Sequence, residues 1–112
     1  MQDCSINVYI GYDRSYPFTI YQNATEQQIR DLTGGTVIAY LRKRDGSTIL
    51  TKNLRVMGAP TAGQVSLDLT PTETRLVPEG QLLDIELELR QDGAQYPIGR
   101  GRVTGIGGRN AD

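Results

Sequence analysis

From Leu83 to Arg90 the chain alternates without a break: Leu83, Ile85, Leu87 and Leu89 are apolar, and Asp84, Glu86, Glu88 and Arg90 are charged. A period of two puts the four apolar side chains on one face of a strand and the four charges on the other. At helical spacing the same residues would scatter apolar and acidic groups around every side, so the leucine content does not make this a helix. A strand with one apolar face needs a second layer to cover it. Val65-Ser66-Leu67-Asp68-Leu69-Thr70 repeats the alternation and is a candidate for that layer.

Five further runs have strand character: Ser5 to Ile10, Pro17 to Tyr21, Thr36 to Leu41, Ser47 to Leu54 and Gln95 to Val103. Each is bounded by Gly, Pro, Asp or Asn, the residues that turns require. Asp45-Gly46 and Asp92-Gly93 each read as a two-residue type I′ hairpin turn, because both central positions need positive φ. Across the second turn Leu89 faces Tyr96 and Leu87 faces Ile98 on the buried side, but unbroken register would then drive Arg100 inward. A β-bulge at Gly99 resolves the conflict, setting Val103 opposite Leu83, Arg102 opposite Asp84 and Arg100 near Glu86. Pro71 to Gly80 reads as a one-turn helical crossover between two sheets, anchored by Leu76 and Val77. Gln22 to Arg30, with the capping-box spacing Thr25-Glu26-Gln27-Gln28, reads as a loop with a short helical turn.

Seven strands with turn signals about every ten residues and one crossover predict an all-β fold, an antiparallel two-sheet sandwich of immunoglobulin-like type. A small barrel is the alternative, to be separated by whether the first and last strands pair. The sandwich is expected over residues 1–104, with residues 105–112 as a glycine-rich flexible tail and Met1 to Ser5 outside the core. At 112 residues the chain makes one domain, able to bury a core without a metal or disulfide staple. No secretory signal or membrane span is read from the sequence.

Histidine is absent, which removes the commonest general base, the His-dependent triads and most catalytic zinc sites. No catalytic residue, enzymatic activity, cofactor or metal is expected. Asp84, Glu86 and Glu88 resemble a cation site in composition alone, since carboxylates two apart on a strand lie about 6.5 Å apart on a line rather than converging. They read as a solvated face partly neutralised by Arg100 and Arg102. Gly105-x-Gly107 precedes no helix and is not a dinucleotide loop. Cys4 has no histidine or cationic cluster beside it and reads as a structural thiol. Asn23-Ala24-Thr25 is a glycosylation acceptor only where a secretory signal exists. Lys and Arg number 12 against 13 Asp and Glu, and the longest like-charged run is Arg42-Lys43-Arg44, so neither nucleic acid nor membrane is an expected partner.

What the composition does favour is protein contact. Tyr9, Tyr12, Tyr16 and Tyr21 crowd the first 21 residues, and the apolar alternation of Ile6, Val8, Ile10, Phe18 and Ile20 leaves tyrosine leaning outward. Tyrosine and arginine are enriched in interfaces. With Ile106 and Arg109 of the tail, these four tyrosines form the expected partner interface.

Asp31-Leu32-Thr33-Gly34-Gly35-Thr36-Val37, then Leu41-Arg42, Asp45-Gly46, Gly63-Gln64-Val65 onward to Thr70, Thr74, Gly80 and Asp92-Gly93 occur in that order. Over roughly residues 5–104 this resembles the immunoglobulin-like domain of bacteriophage baseplate upper proteins, shared with other small phage virion proteins. In Asp31 to Gly34, Leu32 is suited to plug the sandwich end, Asp31 or Thr33 to bond nearby backbone, and Gly34 to turn sharply into the next strand. The resemblance implies a structural protein of a phage particle, made in the host cytoplasm and located in the virion. Baseplate proteins continue into a fibre, coiled coil or further domains, whereas this sequence ends nine residues after Val103. A decoration (cement) protein on the outside of the capsid is therefore expected ahead of a tail or baseplate adaptor that attaches fibres. Its partners would be the major capsid protein or tail and baseplate proteins, with a homo-oligomer possible. A carbohydrate-binding module is the rival from a different class, which a row of exposed aromatics on one face would support.

Overall fold

The computed structural model describes residues 2–22, 28–80 and 82–107. The described residues are all-β apart from two short helical turns, and their strands form two sheets. In chain order the strands are β1 (Gln2–Asp3), β2 (Ile6–Ile10), β3 (Arg14–Thr19), β4 (Thr36–Arg42), β5 (Thr48–Asn53), β6 (Arg55–Val56), β7 (Gln64–Leu69), β8 (Leu82–Gln91) and β9 (Ala94–Gly107). The larger sheet runs β1-β9-β8-β4-β5, with β2 also on β9, and the smaller runs β3-β7-β6.

Alternation along β8 is realised as written, with Leu83, Ile85, Leu87 and Leu89 all buried. They meet Val37, Ala39 and Leu41 of β4 and, from the facing sheet, Val65, Leu67 and Leu69 of β7 in one aliphatic core. Removing this apolar area from water is the main favourable term in folding. Leu32 closes one end, fully buried, while Asp31 Oδ1 accepts hydrogen bonds from the Thr33 amide (2.9 Å) and hydroxyl (2.6 Å). Gly34 then turns at φ 72° into β4.

The chain passes between the sheets four times rather than by one crossover, and the passage from β7 to β8 is the single helical turn α1 (Pro71–Thr74), capped by Thr70. Its hydroxyl accepts from the Glu73 amide, and the Glu73 carboxylate accepts from the Thr70 amide. Thr74, buried, receives the Gly11 amide on Oγ1 at 2.9 Å, which ties the β2–β3 turn to the crossover. Val77 is buried as expected, but Leu76 points to solvent and anchors nothing.

Asp92 and Gly93 both have positive φ (54° and 76°), so the β8–β9 turn is type I′. The bulge sits one residue from the expected position: Leu87 pairs with Gly99 and Glu88 with Pro97, leaving Ile98 as the extra residue. Beyond it the register is Leu83 to Val103, Asp84 to Arg102 and Glu86 to Arg100. Tyr96 does pair with Leu89 but stays 37% exposed, and the Arg30 guanidinium stacks 4.7 Å from its ring centre. The β4–β5 turn differs from expectation. Only Gly46 of the pair Asp45-Gly46 has positive φ (92°), and the Gly46 amide bonds to Lys43 while the Lys43 amide bonds to Ser47. That is a three-residue loop ending in a left-handed glycine rather than a two-residue turn.

Both chain ends are built in more deeply than expected. Ile6 to Ile10 run parallel to Val103 to Gly107, so β9 continues three residues into the segment read as a tail. Gln2 is buried: its Nε2 donates to the Thr19 carbonyl at 2.8 Å and its Oε1 accepts from the Tyr21 amide at 3.1 Å, clamping one sheet to the other. Cys4 is also buried. The first and last strands therefore pair, yet they do so inside one sheet. Among the described residues no strand ladder joins the two sheets, so that pairing does not close a barrel. The expected helical turn at residues 25–28 falls mainly outside the described residues.

Candidate interaction surface

The outward face of the larger sheet carries most of the features relevant to a partner, because each inward residue of β2, β9, β8 and β4 sends its neighbours out. At one end of this face the register sets Tyr9 of β2 beside Ile106 of β9. Val8 and Gly105 point inward and are buried, so Tyr9 and Ile106 point outward together. Leu82, opposite Thr104 and 40% exposed, continues the same patch one step along the ladder. Sequence reasoning missed Leu82 by starting the strand at Leu83. The doublet Leu82-Leu83 held the signal, since adjacent strand residues cannot both face the core.

The structure sets two of the expected interface residues, Tyr9 and Ile106, side by side on one face, with the Tyr12 amide bonded to the Tyr9 carbonyl at 3.2 Å in the adjoining turn. Tyr16 is half-buried against the core, its hydroxyl donating to the Asn7 carbonyl at 2.8 Å, and burial pushes its pKa upward. Tyr16 is therefore a strand-to-strand brace rather than a free anchor. Tyr12 is exposed in the β2–β3 turn, and Tyr21 forms an isolated bridge with Ile29. Arg109 lies outside the described residues.

The centre of the face is a lattice of charge. Arg42 of β4 contacts Glu86 at 2.5 Å and stacks 4.8 Å from the Tyr40 ring centre. Glu88 accepts from Arg90 Nε at 2.8 Å and from the Tyr40 hydroxyl at 3.2 Å. Thus two members of the acidic stripe, Glu86 and Glu88, are paired with Arg42 and Arg90, and not with Arg100 and Arg102 as the sequence suggested, although those two stand opposite Glu86 and Asp84 in the ladder. Among the described residues no cluster of three metal-ligating side chains is found. No protein-family description matches this chain, and no curated protein is significantly similar to it.

The opposite face, on the smaller sheet, is tied down by Asp68. Its Oδ1 accepts from Ser15 and Ser66 hydroxyls, each at 2.7 Å, and its Oδ2 accepts from Arg55 Nε at 2.9 Å. The Arg55 hydrogen bond first, and then those from Ser15 and Ser66, hold the carboxyl well below the usual carboxylate range. One side chain thereby links β3, β7 and β6. Cys4 has the opposite chemistry: burial pushes its thiol up to about 12, reinforced by the Asp3 and Glu86 charges, so the nucleophilic thiolate is suppressed.

Proposed function

We propose that this chain is a non-catalytic, immunoglobulin-like structural module of a bacteriophage particle, with capsid decoration its role. The observation that carries the reading is the correspondence between two orders. One is the motif order that resembles the baseplate immunoglobulin-like domain, and the other is the strand order of the sheets. Taking β3, β7 and β6 as strands B, E and D, and β9, β8, β4 and β5 as G, F, C and C′, the larger sheet is the GFC sheet extended by C′. The parallel strands β1 and β2 then lie beside G.

A cement protein binds across shell subunits and stabilises the assembled state by mass action, so it needs sheet faces and rigid edges more than a pocket. The Tyr9–Ile106–Leu82 patch at the rim of the outward face suits that task as an apolar anchor beside polar surroundings. A sugar platform is less well supported. The rings of Tyr9, Tyr40 and Tyr96 each carry a guanidinium, from Arg14, Arg42 and Arg30, where a sugar would stack.

The deciding experiment is quantitative mass spectrometry of purified particles against the major shell protein. Hundreds of copies per particle are expected. A handful to a dozen would instead assign the protein to the tail or baseplate as an adaptor, and absence from particles would refute both roles.

A further inference from the structure

Of the basic run Arg42-Lys43-Arg44 the fold engages Arg42 with Glu86 and Tyr40, and tertiary structure adds a fourth cation to the run. An open cavity of about 350 Å³ lies on the outward face of the larger sheet, lined by Tyr40, Arg42, Lys43, Arg44, Asp84, Glu86 and Arg100 among others. Arg100 arrives from β9, more than fifty residues along the chain, because the bulge at Ile98 turns it to the outward side opposite Glu86. Four cations therefore face two carboxylates in a chain whose net charge is −1. Among the described residues, only Arg42 of the four has an ion pair, with Glu86. Lys43, Arg44 and Arg100 have none with the described carboxylates.

We infer that this cavity docks an acidic segment of a neighbouring protein, its carboxylates accepted by Arg44, Arg100 and Lys43. The inference deepens the particle-protein reading and takes the partner's nature, a virion protein, from it. Three features favour a carboxylate-bearing peptide. Guanidinium groups present N–H forks that match a carboxylate in two parallel hydrogen bonds. Arg42 is already fixed by Glu86, by Thr48 Oγ1 at 3.3 Å and by the Tyr40 ring, so one wall of the cavity is ordered before a partner arrives. Finally, Asp84 and Glu86 interrupt the positive surface, which would repel a continuous phosphate backbone but leaves room for one or two carboxylate side chains.

The test has two arms. In the first, the full chain, isotope-labelled, is titrated with a hexaglutamate peptide, with hexalysine and with a short DNA duplex, and backbone amide shifts are followed. Hexaglutamate should shift Tyr40 to Gly46 and Arg100 saturably, with binding that weakens as salt is raised. The R44E/R100E variant, shown folded by its own spectrum, should bind roughly tenfold or more weakly. Shifts that are missing, that map elsewhere or that survive in the variant would overturn the proposal, as would tighter binding of DNA at these residues. In the second arm, particles lacking the protein are offered the wild-type chain or the variant. Equal attachment of both overturns the acidic-docking proposal and leaves the particle role standing. Selective hexaglutamate binding by a protein found in no particle supports the cavity and refutes the particle role.

Discussion

A side chain on Gly105 would begin 2.6 Å from the Pro78 carbonyl oxygen and 2.9 Å from Val77 Cγ1. Gly105 is thus a site of close backbone approach. Gly101 is the second case: its missing Cβ would lie 2.7 Å from Ser5 Oγ and 2.8 Å from the Cys4 carbonyl carbon, where the chain passes from β1 to β2.

Gly105→Ala and Gly101→Ala should each destabilise the domain by about 1–3 kcal/mol, the usual cost of forcing atoms into a filled site. Deleting residues 105–112 should lower the melting temperature as well, because it removes the partners of Val8, Tyr9 and Ile10. Urea denaturation and thermal melts measure both effects. An unchanged melting temperature after the deletion would mean that the end of β9 does not pair as described.

Leu87→Ala should cost about 2–5 kcal/mol, since the residue is fully buried in the aliphatic core. Glu88→Ala, on the outward face beside it, loses one partly exposed ion pair and should cost no more than about 1 kcal/mol. Comparable losses in chemical denaturation would contradict the assignment of one wet and one dry face.

Asp68 makes stability depend on pH with a definite sign. Its folded-state pKa is depressed, chiefly by the Arg55 hydrogen bond, so its contribution is complete above the unfolded carboxylate value of about 3.9 and is lost as pH falls below it. Asp68→Asn should therefore be less stable than wild type at neutral pH, with the gap closing as pH is lowered from about 5 towards 2. Denaturation midpoints of both proteins across that range provide the measurement, and a gap that widened on acidification would refute the assignment.

Cys4 should resist thiol reagents in the folded protein, because it is 2% exposed and its pKa is pushed up to about 12. Reaction with an aromatic disulfide reagent should be slow in native buffer and rapid after unfolding in guanidinium. Fast stoichiometric labelling of the native chain would show that β1 does not hold Cys4 in the core.

Local chemistry was enough to read most of the strands, although the two-residue strands β1 and β6 were missed and β3 begins at Arg14 rather than Pro17. The alternation in Leu83 to Arg90, the glycine-bearing turn at Asp92-Gly93 and the plug at Leu32 follow from period, φ preference and apolarity, all of which act within a few residues. Even the need for a bulge in β9 could be deduced, since only a register shift keeps Arg100 out of the core. Other features depended on which segments meet. Gly105 looked flexible because a glycine read alone shows only its freedom, whereas the Pro78 carbonyl shows why a larger residue is excluded. Gln2 looked peripheral because nothing near it in sequence can satisfy a buried amide, and its partners Thr19 and Tyr21 lie 17 and 19 residues away. Tyr9 and Ile106 were singled out separately, but only the parallel pairing of β2 with β9 made them neighbours. Arg100 likewise joined the Arg42-Lys43-Arg44 run through sheet order alone. Periodicity and turn chemistry determined the elements and their faces, while long-range pairing decided the close approaches and surface clusters, because those depend on atoms that sequence distance keeps apart.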